Sequence, residues 1–322
     1  MNVRCSRRHA ALALAGLAGT FLGQLSGFAQ DAAPTPTPAP VAGTIVSAPG
    51  VNARVCPGLD CEVAFSLDLG QSVQITGPAQ DGWVPITRNG VSGWVWNLFV
   101  RAEGAPAPWL ISGQPGCQRV AFLFNLGVGY ETRMELLEWM VRERIPASIF
   151  PMGWWAEKYP DELRRMADLG FEIGSHGHDR NDLPTLGDGA VLADIAAAEQ
   201  AIEAATGKPI APLFTPFAAA SDPRVRGLIA SAGYLPVGWE VPADDWDFGV
   251  SPDDVFQNVV PNVVDGSIVE FHLDAPASAE STVVAVPWIV ERLRNKGFTF
   301  VDVGDIALPC PIGLAASPAP AS

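Results

Sequence analysis

Basic residues are in short supply in this 322-residue chain: 20 Lys and Arg stand against 35 Asp and Glu, for a formal net charge of −15 and a pI near 4.6. A polyanion gains nothing from such a surface, so nucleic acid and anionic membrane are poor partners, whereas an uncharged glycan is compatible. Long apolar runs are also lacking. The stretch Ala10–Leu22 is too short for a stable membrane anchor, and no stable span is expected. Cysteine is sparse at five residues and histidine sparser at four. Of these four, His176 and His178 fall together in one polar turn, Ser175-His-Gly-His-Asp-Arg-Asn-Asp182, with two aspartates and an arginine. That concentration at the end of a short apolar strand marks a metal or acid–base site.

The amino terminus is a targeting segment. Arg4, Arg7 and Arg8 precede the apolar run, and Gly27-Phe28-Ala29 offers small residues at the position a signal peptidase reads. Ser6-Arg7-Arg8 also fits a twin-arginine signal, so both export routes stay open. The expectation is a signal peptide over 1–29 and a secreted, extracytoplasmic, cell-envelope-associated product. Cys5 leaves with the signal, and the remaining Cys56, Cys61, Cys117 and Cys310 are even in number, as disulfides in an oxidising compartment require. Three pairings are possible. Cys56–Cys61 as a local staple and Cys117–Cys310 as a clasp around the larger domain are favoured; the second closes a long loop and in the chain-entropy model contributes on the order of 5 kcal/mol.

Composition shifts divide the chain. Residues 30–40 are a Pro-rich linker, 103–116 a second linker, and 311–322 a tail expected to be disordered. Residues 41–102 alternate short apolar segments with Gly, Pro and Asn, as in a small β-barrel. Val51-Asn-Ala-Arg54, Gly82-Trp-Val-Pro-Ile-Thr87 and Gly93-Trp-Val-Trp96, the last two around Arg88-Asn-Gly90, resemble a bacterial SH3 domain. The resemblance implies a cell-wall or glycan-targeting module. Trp83, Trp94 and Trp96 are expected in its core, with stacking on sugars as the second reading.

From 117 to 310 strands alternate with helices. Strands are read at Val120–Asn125, Ala147–Phe150, Phe171–Gly174, Leu213–Thr215, Leu235–Val237, Ser267–Phe271 and Phe298–Val301, with helices including Glu131–Glu143, Asp161–Leu169, Val191–Ala205 and Val283–Lys296. Seven such strands predict an α/β fold with a parallel sheet closed into a barrel, and a site at the strands' C-terminal ends. Those ends carry Asn125, His176, Phe217, Trp239, Glu240, Asp245, Trp246, His272 and Asp274.

With those residues in place, Pro160–His176, Asp265–His272 and Leu293–Val303 resemble the polysaccharide deacetylase (NodB-homology, carbohydrate esterase family 4) domain. The resemblance implies a distorted (β/α)7 barrel. It also implies a divalent metal, commonly zinc, held by one aspartate and two histidines, with a second aspartate as base, an arginine orienting it, and a late histidine as acid. Such a metal polarises an acetamide carbonyl and activates water.

The expected machinery is largely replaced here. Asn125 stands at the base position and Leu126 at the metal aspartate. His176 is the retained metal ligand, but Arg180 occupies the second histidine position, and a guanidinium cannot ligate a metal. Phe214 replaces the orienting arginine, and Ala218 a glycine. Asp245 and His272 are retained, and Trp239, Trp246 and Phe217 are candidate sugar-binding residues. Two rescues are conceivable: a metal recruited by His178, Asp179 or Asp182 with His176, or metal-free acid–base work by Glu240, Asp245, Glu270 or Asp274 with His272. A solvated rim is the favoured alternative to both, and no cofactor is expected unless the first holds. The reading is a catalytically impaired family member retained to bind polysaccharide or peptidoglycan. A divergent deacetylase acting on N- or O-acetyl groups is the first alternative, and a protein-docking module the second.

Overall fold

The computed structural model describes residues 39–47 and 50–310. The expected signal peptide, most of the first linker and the tail lie outside these residues.

The smaller domain is built from β1 (Val41–Ile45), β2 (Val51–Arg54), β3 (Val63–Leu67), β4 (Ser72–Ile75), β5 (Trp83–Arg88), β6 (Val91–Trp96) and β7 (Val100–Ala102). They pair antiparallel in the order β3-β2-β6-β5-β4-β1-β7. Asn89 and Gly90 both take positive φ, 51° and 79°, which is what a two-residue turn between β5 and β6 requires. Ile45, Ala53, Leu67, Val73, Ile86 and Val95 fill the interior. Trp83 and Trp96 are buried and meet edge to face at 5.8 Å, so these two belong to packing, while Trp94 is half-buried. The Trp96 indole N–H donates to the carbonyl of Ala307 at 2.8 Å, which ties this domain to the last turn of the larger one.

The larger domain contains β8 (Arg119–Leu126), β9 (Ser148–Pro151), β10 (Glu172–Ile173), β11 (Leu213–Phe214), β12 (Leu235–Pro236), β13 (Val241–Pro242), β14 (Ile268–His272) and β15 (Thr299–Val301). All pairings among them are parallel: β10-β9-β8-β14-β13 in one sheet, with β15 beside the first half of β8, and β11-β12 apart. A bridge from Ser175 to Phe214 links β10 to β11. Between the strands run α1 (Met134–Glu143), α2 (Gly153–Lys158), α3 (Pro160–Asp168), α4 (Asp188–Thr206), α5 (Pro223–Ser231), α6 (Pro252–Val259), α7 (Val283–Asn295) and α8 (Val303–Ile306). The strand–helix alternation is the expected distorted barrel, with β13 as an eighth strand segment too short to announce itself.

Strand alternation sets what faces the barrel interior. On β8, Val120, Phe122, Phe124 and Leu126 join the apolar layer under the helices, whereas Ala121 and Leu123 share a second cluster with Leu110, Val237 and Ile268. Every residue of β8 is buried, hence its near-continuous apolar sequence.

The segment expected to be a linker, 103–116, is partly built into the barrel. Leu110 is buried, its N–H donates to Pro236 at 2.9 Å, and it accepts from Gly238 at 2.8 Å. Ser112 bridges to Ser267, so this segment runs from the β12 side to the start of β14. Cysteines pair as Cys56–Cys61 and Cys117–Cys310, the latter with Cα atoms 5.9 Å apart across 193 residues of sequence.

Candidate functional site

The C-terminal ends of the barrel strands surround a cavity of about 500 Å³ lined by polar groups from Asn125, His176, Arg180, Asp244, Glu270 and His272, and by the aromatic rings of Phe217, Trp239 and Trp246. Parallel register places two floor residues side by side, since His272 of β14 stands opposite Asn125 of β8. Glu270, two residues earlier on β14, points to the same face. Its direction could not be read from sequence; it decides what the cavity contains.

Two carboxylates and a histidine form the first constellation. Asp245 is fully buried and accepts from the backbone N–H of His272 at 3.1 Å, from Thr282 Oγ1 at 2.6 Å and from His272 Nδ1 at 2.9 Å. Thr282 reaches it from a wide i→i+5 turn, Ser278–Thr282, that leads into α7. Glu270 Oε1 lies 3.3 Å from the same His272 nitrogen and accepts from Asn125 Nδ2 at 3.1 Å. Burial would lower the His272 pKa, but the carboxylates of Glu270 and Asp245 outweigh it and raise the imidazole above its ordinary value. Burial raises Glu270, and the neighbouring imidazolium only partly restores its ionisation.

His176 sits in a different state. Its Nδ1 lies 2.9 Å from the carbonyl of Thr215, which can only accept, so Nδ1 carries the proton and Nε2 is a lone pair. Burial drives its pKa down to about 3, and the ring stays neutral.

Leu126 is fully buried in the apolar layer and does not line the cavity. Arg180 lines it, but its Nε donates to the carbonyl of Gly127 at 2.8 Å and Nη2 to that of Val128 at 2.7 Å, with the guanidinium 5.2 Å from the ring of Trp154. Phe214 is buried against Val225, Ile229 and Tyr234, away from the cavity. Ala218 keeps a left-handed backbone, φ 52° and ψ 27°, at the position where the family resemblance implies glycine.

A metal in the resembling position would have His176 Nε2, an apolar leucine and a guanidinium already bonded to carbonyls; that set does not fit a divalent cation. Nor does the turn replace it. His178 lines a separate recess between α2 and α4, with Nδ1 3.3 Å from Asp179 and Nε2 3.6 Å from Glu157. Asp179 is exposed, and Asp182 serves Thr185 through its backbone carbonyl. Among the described residues no group of three or more His, Cys, Asp or Glu is arranged to hold a metal. Of the other acids considered, Glu240 pairs with Ser267 at 3.3 Å, outside the cavity lining, and Asp274 is committed to backbone.

Two buried aspartates organise the loops, a role that sequence reading missed for both. Asp274 accepts from the N–H groups of Gly127, Val128 and Gly129, the last at 2.6 Å, and so fixes the loop after β8. Asp194 of α4 accepts from the N–H groups of His178 at 2.9 Å and Asp179 at 3.2 Å, and from Asn181 Nδ2 at 2.9 Å. Gly177, at φ 80°, permits that approach: a Cβ there would stand 2.7 Å from Asp194. Also missed were Tyr130 and Phe248, which meet edge to face at 6.0 Å and, with Trp246, are exposed by 46%, 72% and 56%. Their signal in sequence was weak, because an aromatic in a loop reads equally as packing.

Known proteins resemble this chain in sequence and fold. A family model described as polysaccharide deacetylase matches residues 112–237, and one described as bacterial SH3 domain matches 49–101. The chain is 26% identical to a peptidoglycan-N-acetylglucosamine deacetylase of Bacillus cereus, over 62% of this chain and 74% of that protein. It is 28% identical to a chitooligosaccharide deacetylase of Sinorhizobium fredii, over 57% and 89%. A deacetylase solved with substrate superposes with a TM-score of 0.54 at 30% identity, covering 61% of this chain and 94% of the other. The fold of a carbohydrate esterase family 4 pseudoenzyme from Bacillus anthracis superposes with a TM-score of 0.61 at 20% identity, over 75% and 85%. The chain belongs to the polysaccharide deacetylase family, with a bacterial SH3 domain ahead of the deacetylase fold.

Proposed function

We propose that this is a secreted cell-envelope protein whose deacetylase-family cavity binds polysaccharide or peptidoglycan and does not deacetylate it. The observation that carries the reading is Arg180: its guanidinium bonds the carbonyls of Gly127 and Val128 beside a core-packed Leu126, where the family's metal ligands are expected. Asn125 compounds the loss, since an amide cannot take the proton a base must remove. The exposed aromatic faces of Trp246, Phe248 and Tyr130 support a retained sugar platform. Disulfides and peptidoglycan- and chitooligosaccharide-deacetylating relatives support the envelope location. One carbohydrate esterase family 4 protein of the same fold, from Bacillus anthracis, is a pseudoenzyme. Calorimetric titration with chitooligosaccharides and soluble peptidoglycan fragments tests the binding half: saturable binding weakened by Trp246→Ala is expected, and no binding to any of them would overturn it.

One observation favours a second reading, a divergent deacetylase. The pairing of His272 with Asp245 is intact at 2.9 Å, and a carboxyl, Glu270, adjoins the amide of Asn125. That reading requires acetate release that His272→Ala abolishes.

A further inference from the structure

We infer that the cavity takes amino sugars whose amine is free, glucosamine residues and not N-acetylglucosamine, with the ammonium group seated at the Glu270 carboxylate. The inference rests on the glycan-binding reading and specifies its ligand.

The floor of the cavity is rich in hydrogen-bond acceptors that lack donors. Glu270 is 3% exposed; its Oε1 receives Asn125 Nδ2, and among the described residues no hydrogen bond reaches Oε2. Asn125 is 2% exposed and its Oδ1 is buried without a partner. His176 commits Nδ1–H to Thr215, which leaves Nε2 an acceptor on a ring that lines the cavity. An ammonium group offers three N–H donors and no acceptor, the complement of this set. An acetamide is mismatched, because its carbonyl oxygen is a further acceptor. Arg180 Nε and Nη2 hold loop carbonyls and His272 Nδ1 faces both Asp245 and Glu270, which leaves the outer His272 N–H as the ring donor for that oxygen, while the single acetamide N–H meets only one of the three acceptors.

Charge points the same way. Asp244 and Glu270 line the cavity and Asp245 backs His272, three carboxylates against the cations Arg180 and His272. Around the mouth, Trp246 offers a ring face on which a sugar bearing an ammonium can stack. Asn125 Nδ2 and His272 Nδ1 both meet Glu270 at Oε1, so Oε2 is the oxygen left to a ligand donor.

The test is calorimetric titration of the folded protein with glucosamine tetramer and, separately, N-acetylglucosamine tetramer at equal pH and low salt. A charge-assisted hydrogen bond predicts that the glucosamine tetramer binds tighter by about tenfold or more. Glu270→Gln removes that preference, while Glu157→Gln, an exposed carboxylate outside the cavity, leaves both affinities unchanged. Equal affinity, or preference for the N-acetylated tetramer, overturns the inference and leaves the glycan-binding reading standing. An equal loss in Glu157→Gln and Glu270→Gln overturns it as well, since attraction to the acidic surface at large then explains the preference. Binding of neither tetramer removes both readings. The wild-type comparison decides the inference even where Glu270→Gln fails to fold.

Discussion

Arg180 holds its loop by two hydrogen bonds to carbonyls and a stacking contact with Trp154. Replacing it with alanine leaves the Gly127 and Val128 carbonyls to water and should cost about 1–2 kcal/mol in unfolding free energy by urea titration. A loss near zero would mean that the guanidinium is an incidental surface group. At this scale sequence was informative wherever chemistry alone decides. Leucine has no ligand atom and arginine no free lone pair, whatever their surroundings, so what Leu126 and Arg180 cannot offer a metal was legible from their identity. Direction was not legible. Glu270 faces the cavity because it shares the parity of His272 on β14, Phe214 turns into a packed layer, and His178 turns to the recess beside α2. Each depends on register or turn geometry that side-chain identity does not carry.

Between elements, two carboxylates substitute for missing secondary structure. Asp274 is fully buried and gathers the three successive N–H groups after β8, as a helix end would gather them at a cap. Asp274→Asn retains one acceptor oxygen but turns an amide toward N–H groups, and it should destabilise the fold by on the order of 3 kcal/mol. Chemical denaturation of the variant checks this; an unchanged midpoint would show that the loop is held elsewhere. The barrel strands and the long helices were readable because β8 is apolar throughout and α4 is alanine-rich. The segment 103–116 was not. Its Pro and Gly content reads as a linker, but Leu110 and Ser112 bridge the barrel wall, a tertiary pairing with no local signature. The Trp96 bond to Ala307 is another long-range contact of that kind.

For the molecule as a whole, the buried acids set a pH dependence. Glu172, between Ser148 and the N–H of Gly304, has its pKa raised from 4.5 to about 7, first by burial and then by the neighbouring Asp302. A carboxyl whose folded pKa is raised favours the native state only while protonated. Its contribution is therefore full below the unfolded value of 4.5 and is lost as pH rises towards about 7. Asp274 and Asp302 are raised by burial too and act with the same sign. Unfolding free energy should fall between pH 5 and pH 8, and Glu172→Gln should flatten that fall by on the order of 3 kcal/mol. An identical slope in wild type and variant would contradict it. His176 acts oppositely: its lowered pKa stabilises the fold above the ordinary 6.5, and that contribution is lost as pH falls towards about 3.

On the proposed reading a family fold is retained around a cavity whose metal set and base are replaced. The most direct test is acetate release from N-acetylglucosamine oligomers by the purified protein with zinc supplied in excess. The account predicts no acetate above a protein-free blank. Zinc-dependent release that disappears in His176→Ala would contradict it.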